Sequence, residues 1–368
     1  MAPDVALDAR FMARALKLAA RGLWTTSPNP RVGCVLVKDG RIVGEGWHER
    51  AGEPHAEVHA LRAAGDSARG ATAYVTLEPC SHHGRTPPCA DALVAAGVAR
   101  VVAAMQDPNP LVAGNGLARL RAAGIATDCG VLENEARELN IGFVSRMTRG
   151  RPWVRLKTAS TLDGVTALEN GVSQWITGPA ARRDGHRWRA RACAVLSGIG
   201  TVMEDDPSLT VREVDTPRQP LRIIVDARLQ LTPQAKLFAD IERSPLLVVC
   251  ASDDTPKARA LRDAGAELLV LPNEGGKVDL PAMFQALGAR GLNEVHAESG
   301  HKLNGSLMRE GCVDELLMYL APTVLGRGMG LFNLGPFDTL AQRIDLDIHD
   351  LRAVGKDWRV LARPRQAA

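Results

Sequence analysis

Four residues constrain this chain more than any others: His55, Glu57 two positions later, and then Cys80 and Cys89. One imidazole and two thiolates form a three-ligand set for a single zinc ion. Such a set leaves a fourth position open to water and brings that water's pKa to roughly 7. A glutamate beside the histidine can move protons without binding the metal. The set closes only if three separate segments meet at one point. The opposing reading makes His55 a surface histidine and the two cysteines buried, structural or paired.

Cysteine usage argues against pairing. Seven cysteines in 368 residues is an odd and modest number, the N-terminus shows no charged-then-apolar leader, and no apolar run reaches transmembrane length. A cytoplasmic protein in a reducing compartment, with no membrane partner, is expected. Cys34, Cys129, Cys193, Cys250 and Cys312 lie in or beside apolar runs and read as small core residues. A net charge of +3 with 45% hydrophobic residues describes an ordinary globular chain, long enough for two domains. Aromatic residues are only 4% and no basic block interleaves with them, so no nucleic-acid partner is expected. The basic groups near the motifs, Arg31 and Arg85, would suit a small phosphorylated substrate.

The first half alternates strands and helices. Apolar residues at helical spacing predict a helix over 8–20, with Gly22 as a stop. Strands over 32–37 and 42–47 flank Lys38-Asp39-Gly40-Arg41, a hairpin with Asp-Gly at its turn. A helix over 55–64 carries His55 and Glu57 in its first turn, a strand covers 73–77, and a second helix begins near Pro88-Cys89. Ligands at two helix starts gain from the positive dipole ends. A strand over 100–105 and a helix over 133–144 follow. The run Thr148-Arg149-Gly150-Arg151-Pro152 breaks the pattern, giving domains of 1–147 and 152–368.

In the second half, strands over 221–225, 246–249, 268–271, 295–297 and 316–320 alternate with helices over 257–264 and 280–287, which argues for an α/β domain with a mostly parallel sheet. No Gly-x-Gly-x-x-Gly follows its first strand, so an ordinary dinucleotide fold is not indicated. Instead a strand ending at Glu298 runs through Ser299-Gly300 to a helix from about Asn304. That turn could admit a phosphate or be only a tight connection. The segments 158–164 and 173–178 read as polar loops after a strand, with turn chemistry and helix capping as their plain interpretation.

Histidine, cysteines and free glutamate occur in this order in zinc nucleobase deaminases, although their cysteines usually stand two residues apart. Three stretches go further: 27–33 (Ser-Pro-Asn-Pro-Arg-Val-Gly), 51–61 around His55-Ala56-Glu57, and 76–89 from Thr76-Leu77-Glu78-Pro79-Cys80 to Pro88-Cys89. They closely resemble the bifunctional RibD family of riboflavin biosynthesis, in which the wider cysteine spacing is normal. The resemblance continues through Asp107-Pro108-Asn109-Pro110, 173–177, 205–212 and Asp314-Glu315-Leu316, nearly the whole chain.

The resemblance implies an N-terminal cytidine-deaminase-like three-layer α/β/α domain and a C-terminal dihydrofolate-reductase-like α/β domain. The first would deaminate 2,5-diamino-6-ribosylamino-4(3H)-pyrimidinone 5′-phosphate. The second would use NADPH to reduce the ribosyl chain to ribityl. By position, His55, Cys80 and Cys89 would hold zinc, Glu57 would shuttle the proton, and Asn29, His48, His82, Arg85, Asp107 and Asn109 would contact substrate. In the reductase half, Lys157 and Glu298 would lie beside the ribose, with Ser173, Arg189, Leu209 and Arg212 lining the substrate site. Ala159, Trp175, Thr201 and Asp205 would line the NADPH site together with Gly300, His301, Lys302, Leu303, Asn304, Gly305 and Ser306. His301-Lys302 departs from the small or apolar residues of many relatives. Arg182, Arg183, Arg228 and Lys302 are candidate cations for the extra phosphate of NADPH. A homo-oligomer, dimer or tetramer, is expected. A chain whose reductase half is only a scaffold would satisfy the same deaminase motif.

Overall fold

The computed structural model describes residues 5–81, 87–110 and 112–365. The chain forms two compact units, Met1–Gly150 and Arg151–Ala368.

The first unit runs α1 (Val5–Ala19), β1 (Gly33–Lys38), β2 (Arg41–Trp47), α2 (Ala56–Ala64), β3 (Thr72–Val75), α3 (Cys89–Ala96), β4 (Arg100–Ala103), α4 (Asn115–Ala122), β5 (Ala126–Cys129), α5 (Glu133–Leu139) and α6 (Ile141–Arg149). Asp39 and Gly40 both take positive φ, as a two-residue hairpin turn between β1 and β2 requires. The sheet order is β2-β1-β3-β4-β5. Strand β1 is antiparallel to β2 and β3, and β3, β4 and β5 are parallel. Strands β2 to β5 therefore point one way. The residues that follow Trp47, Val75 and Ala103 gather along a single edge, with the segment that enters β1.

Alternation along the strands builds two cores. Cys34, Leu36, Ala73, Val75, Val101 and Ala103 pack against α2, α3 and α4, while Val35, Val37, Tyr74 and Val102 pack against α1, α5 and α6. This is a three-layer α/β/α unit. The helix expected over 133–144 is two helices broken at Asn140. The Asn140 side chain accepts from the Arg31 amide at 2.7 Å and donates to the Arg31 carbonyl at 2.9 Å, so it pairs with extended chain and helical geometry is interrupted there. Helix α4 and strand β5, short and partly exposed, were not anticipated from the pattern. Cys34, Cys250 and Cys312 are buried as expected, but Cys193 is half-buried and Cys129 is exposed at the end of the edge strand β5.

The second unit runs β6 (Trp153–Thr161), β7 (Val165–Leu168), α7 (Pro179–Arg191), β8 (Ala194–Gly198), α8 (Ile199–Asp205), β9 (Leu221–Val225), β10 (Leu246–Cys250), α9 (Pro256–Asp263), β11 (Glu267–Val270), α10 (Leu280–Ala289), β12 (Glu294–Ala297), α11 (His301–Arg309), β13 (Glu315–Ala321), β14 (Gly328–Gly330), β15 (Leu346–Val354) and β16 (Asp357–Pro364). Among the described residues its main sheet has the order β11-β10-β9-β8-β12-β6-β13-β16-β15. It is parallel from β11 to β13 and antiparallel through β16 and β15. Helices α10 and α11 cover one face, and α8 and α9 cover the other. Residues 158–161, expected in a loop, belong to β6, because the long strand pairs with β13 as far as Thr161.

Ion pairs bury the charges that the parallel strands would otherwise leave unsatisfied. The Arg155 guanidinium reaches Glu315 at 2.5 Å and Glu294 at 3.2 Å and lies 4.3 Å from the Trp188 ring centroid. Removing one partner of such a group strands the remaining charges, whereas the intact pair mainly offsets its own desolvation.

In the first unit, backbone contact sets the height of α2 above the sheet. A Cβ on Gly46 would fall 2.4 Å from the Ala56 carbonyl oxygen and 2.6 Å from the Ala60 nitrogen. A Cβ on Gly44 would meet the Ala60 carbonyl at 2.3 Å. We expect Gly46→Ala to lower the unfolding free energy by about 1–3 kcal/mol through overpacking. Urea denaturation checks this, and an unchanged midpoint would mean that the helix can rise without cost.

Candidate functional site

Three segments of the common edge bring the ligand candidates together. His55 is the N-cap of α2, Cys89 is the first residue of α3 after its N-cap Pro88, and Cys80 lies in the turn beyond β3. Helix α2 starts where it does because Pro54 leaves the preceding chain extended and His55 itself is extended, with ψ 167°. The ligand atoms of His55, Cys80 and Cys89 all lie within 4.8 Å of one another. His55 Nδ1 is 3.3 Å from Cys89 Sγ and 3.6 Å from Cys80 Sγ. A tetrahedral zinc separates a bound nitrogen from a bound sulfur by about 3.5 Å, so these donors fit the ion in type and spacing. The hydrogen bond from the Cys89 thiol, working against burial and helped by His55, holds the pKa of Cys80 below its usual value, while that of Cys89 is pushed up.

Glu57, in the first turn of α2, is buried beside this triangle and touches the Cys89 thiol. Burial, with the nearby Cys80, pushes its pKa up to about 7. A carboxyl group poised near neutrality beside an open metal position can both accept and return a proton.

Around this centre, the Asn29 side-chain amide nitrogen lies 3.2 Å from His48 Nε2, and His48 Nδ1 is 3.2 Å from the Pro54 carbonyl. Burial, more than any neighbour, holds the pKa of His48 below its usual value. The neutral ring therefore donates through Nδ1 to the Pro54 carbonyl and accepts through Nε2 from the Asn29 amide, which fixes the orientation of the Asn29 side chain. Asp107 and Asn109 follow β4, with the Asn109 amide donating to Asp107 Oδ1 at 2.8 Å. His82 and Arg85 lie outside the described residues. Arg31, expected near phosphate, is instead buried, and its guanidinium donates to the carbonyls of Leu139 at 2.7 Å and Leu23 at 3.3 Å. Its contact with Leu139 caps the end of α5, where the last carbonyls lack helical partners.

In the second unit, Glu298 leaves β12 and takes a bidentate contact from Arg189 of α7 at 2.5 and 2.9 Å. His296 Nε2 is 2.9 Å away and Lys157 Nζ on β6 is 3.7 Å away. Burial alone would raise the Glu298 pKa, but Arg189 and Lys157 outweigh it and hold the carboxyl well below its usual range. Arg212 adjoins the cluster. Its amide lies 3.3 Å from His186 Nδ1, its guanidinium reaches Ser208, and Leu209 between them is buried with φ 53°. Burial, followed by Arg189 and Arg212, pushes the pKa of His186 down to about 4. Ser173 is half-buried in the loop before α7.

Helix α11 starts at His301, three residues earlier than expected, with Gly300 as N-cap. The Gly300 amide donates to Thr201 Oγ1 at 3.1 Å, which joins the starts of α11 and α8. His301 is half-buried and Lys302 exposed in the first turn of α11. Asn304 and Gly305 turn inward: Asn304 is bonded to Ser299 and the Leu331 carbonyl, and a Cβ on Gly305 would meet the Asn333 carbonyl at 2.0 Å. Leu303 packs on Gly198, and Ser306 accepts from Arg309 at 3.0 Å. Ala159 is half-buried on β6, and Asp205 ends α8 with Gln174 at 3.5 Å. Trp175 is 70% exposed, with the Arg182 guanidinium 4.5 Å from its ring centroid. Arg183 and Arg228 are exposed.

Sequence reasoning missed Glu78, His186 and His296. His296 carried a signal, since its i, i+2 spacing to Glu298 on a strand puts both on one face. Glu78 stood inside a quoted motif, but its role depends on residues 107–117, distant in sequence. Among the described residues, no helix is long and apolar enough to cross a membrane.

Residues 6–105 match the zinc-binding region of cytidine and deoxycytidylate deaminases, and residues 152–360 match the RibD C-terminal domain. The chain is 50% identical to the riboflavin biosynthesis protein RibD of Escherichia coli over 95% of this chain and 97% of that protein. It is 45% identical to the protein of that name from Aquifex aeolicus over 89% and 91%. The solved structure of Acinetobacter baumannii RibD superposes with a TM-score of 0.91 at 44% identity, covering 99% of this chain and 100% of that one. A Thermotoga maritima structure described as a diaminohydroxyphosphoribosylaminopyrimidine deaminase and 5-amino-6-(5-phosphoribosylamino)uracil reductase superposes at 0.88 with 34% identity over the same shares. Likeness over both units at this identity means that the chain belongs to the RibD family, the bifunctional deaminases and reductases of riboflavin biosynthesis.

Proposed function

We propose that the first unit deaminates a phosphorylated diaminopyrimidinone, 2,5-diamino-6-ribosylamino-4(3H)-pyrimidinone 5′-phosphate, and that the second reduces the ribosyl chain of the product with NADPH. The observation that carries the reading is the triangle of His55, Cys80 and Cys89 with Glu57 buried beside it. In this reading those three residues hold one zinc ion. Zinc so held supplies Lewis acidity, which brings a water into its ionising range near pH 7. Glu57 accepts the proton released and returns it to the departing amino nitrogen, a task that suits a carboxyl group near pKa 7. Asn29, oriented by its bond to His48, contacts the pyrimidine in this reading, with Asp107 and Asn109 on the same edge of the sheet. His82 and Arg85 complete the substrate contacts by resemblance.

In the second unit, NADPH supplies the hydride. Glu298, kept ionised by Arg189 and Lys157, acts as a hydrogen-bond acceptor for the sugar and not as an acid. Lys157 is the cation beside it, and Ser173, Leu209 and Arg212 bound the substrate side. The Gly300 amide is held by Thr201, and the first turn of α11 beyond it offers its backbone amides to a cofactor phosphate, with Trp175, Ala159 and Asp205 assigned to the same cofactor site by resemblance. Lys302, in the first turn of α11, and Arg182, over the Trp175 ring, are the cations this reading assigns to the extra phosphate. Cytoplasmic placement and self-association belong to the same reading. The first is supported by seven free cysteines, and the second by exposed Ile348 and Leu351 on the edge strand β15.

Glu57→Gln should retain zinc and lose deamination by roughly 10²- to 10⁴-fold. Metal analysis with an ammonia assay checks it, and near-normal turnover would remove Glu57 from its role. Cys80→Ala or Cys89→Ala should lose zinc and deamination but leave reduction of pre-deaminated substrate intact, since each unit has its own core. Loss of both activities in a folded variant would contradict two independent domains. Steady-state reduction should show a much higher kcat/KM with NADPH than with NADH, and equal values would sink the cofactor assignment.

A further inference from the structure

Glu78 belongs to none of the roles above, yet its buried carboxylate has an unusual set of partners. Oε2 accepts from the backbone amides of Asp107 at 3.1 Å and Gly114 at 2.9 Å. Oε1 accepts from the amides of Gly116 at 2.8 Å and Leu117 at 3.1 Å. All four donors are main-chain N–H groups from one stretch beyond β4. Two belong to the first turn of α4, whose N-cap Gly114 has no side chain to satisfy them. A carboxylate is the acceptor that helix start favours, because of the amide dipoles behind it.

The placement of Glu78 gives this contact its meaning. Glu78 stands two residues before Cys80, and its own amide donates to the Met105 carbonyl at 2.9 Å. Pro79, between Glu78 and Cys80, presses its carbonyl on α4 so closely that a Cβ on Gly116 would lie 1.9 Å from it. Beyond Cys80, Arg119 of α4 donates to the Ser81 carbonyl at 3.3 Å and to Asp91 of α3 at 2.8 Å. The cysteine turn is therefore held on both sides by one helix. The same carboxylate that begins this grip also holds the amide of Asp107, whose side chain in turn accepts from Asn109.

We propose that Glu78 is a positioning residue of the deaminase site: its carboxylate fixes the Asp107–Asn109 loop at a set distance from the turn that carries Cys80. This rests on the reading of that loop as substrate-binding. A single side chain spans both segments, so a shift of one is passed to the other. Without the carboxylate, four backbone amides, two of them buried and two half-buried, lose their acceptor and the loop relaxes, while Cys80 keeps its contact through Pro79 and Ser81. The defect falls on substrate binding and not on metal binding.

The test is Glu78→Gln in the full-length, zinc-loaded protein. Gln can keep at most one of the two bifurcated contacts, since its amide nitrogen is a donor facing donors. The expected result is about one zinc per chain as in the wild type, a KM for the diaminopyrimidinone phosphate raised on the order of tenfold to a hundredfold, and kcat within about threefold. Faster hydrogen exchange at the Asp107 and Gly114 amides should accompany it. Loss of zinc, a fall in kcat at unchanged KM, or wild-type kinetics would each overturn the proposal. If Glu78→Gln does not fold, Glu78→Asp, one methylene too short to reach both segments, is held to the same expectations. Reduction of pre-deaminated substrate serves as the internal control. A wild-type protein that releases no ammonia from this substrate would sink the substrate reading instead, and the exchange rates would then decide the role of Glu78 alone.

Discussion

Strand direction is the constraint on which both sites depend. Parallel strands must be joined by crossovers, and each crossover helix begins near the carboxyl end of the strand before it. In the first unit β2, β3, β4 and β5 run together, so His48 and His55, Cys80, and Asp107 reach the same edge from three different connections. In the second, β6 and β12 are parallel neighbours, and Glu298, just beyond the end of β12, meets Lys157 midway along the longer β6. Helix starts at these edges supply unsatisfied amides and a favourable field for anions. The chemistry of each half is thus assembled from residues far apart in sequence without any one segment supplying it alone.

Two buried glutamates show how surroundings divide labour. Glu57 has no cation paired with its carboxylate in the hydrogen bonds described, and burial lifts it to about 7. Glu298 is equally buried but faces Arg189 and Lys157, whose fields overcome desolvation and keep it ionised. The first can exchange a proton near neutral pH, and the second can only accept hydrogen bonds. Glu78 differs from both in its partners, since four backbone amides take its two oxygens.

Much of the fold was legible because burial imposes periodicity. Nine strands, β1 to β4 and β9 to β13, appear as short apolar runs within a residue or two of their observed limits, whereas β5 to β8 and β14 to β16 were given no bounds; α1 shows its buried stripe of Phe11, Met12, Ala15 and Leu18. Errors arose where local pattern and tertiary contact disagree. Asn140 fits a helix by spacing, but its amide is taken by the Arg31 backbone. Cys129 lies close to the apolar Val131-Leu132 but ends an exposed edge strand. Arg31 stands in a substrate motif, yet its charge is spent on carbonyl oxygens inside the fold. None of these outcomes could be read from neighbours in sequence.

By itself the sequence determined the chemistry available: a histidine, two cysteines and a glutamate with zinc-site spacing, two alternating α/β segments, and the break near Gly150. Residue type and short-range spacing suffice for these, because ligand identity and periodicity are local properties. Tertiary structure alone decided which glutamate is poised near neutrality, which is ionised and which braces a loop. Such differences depend on distances to groups from other strands and helices, and a carboxylate's free energy changes with every charge, dipole and shell of water that folding places beside it.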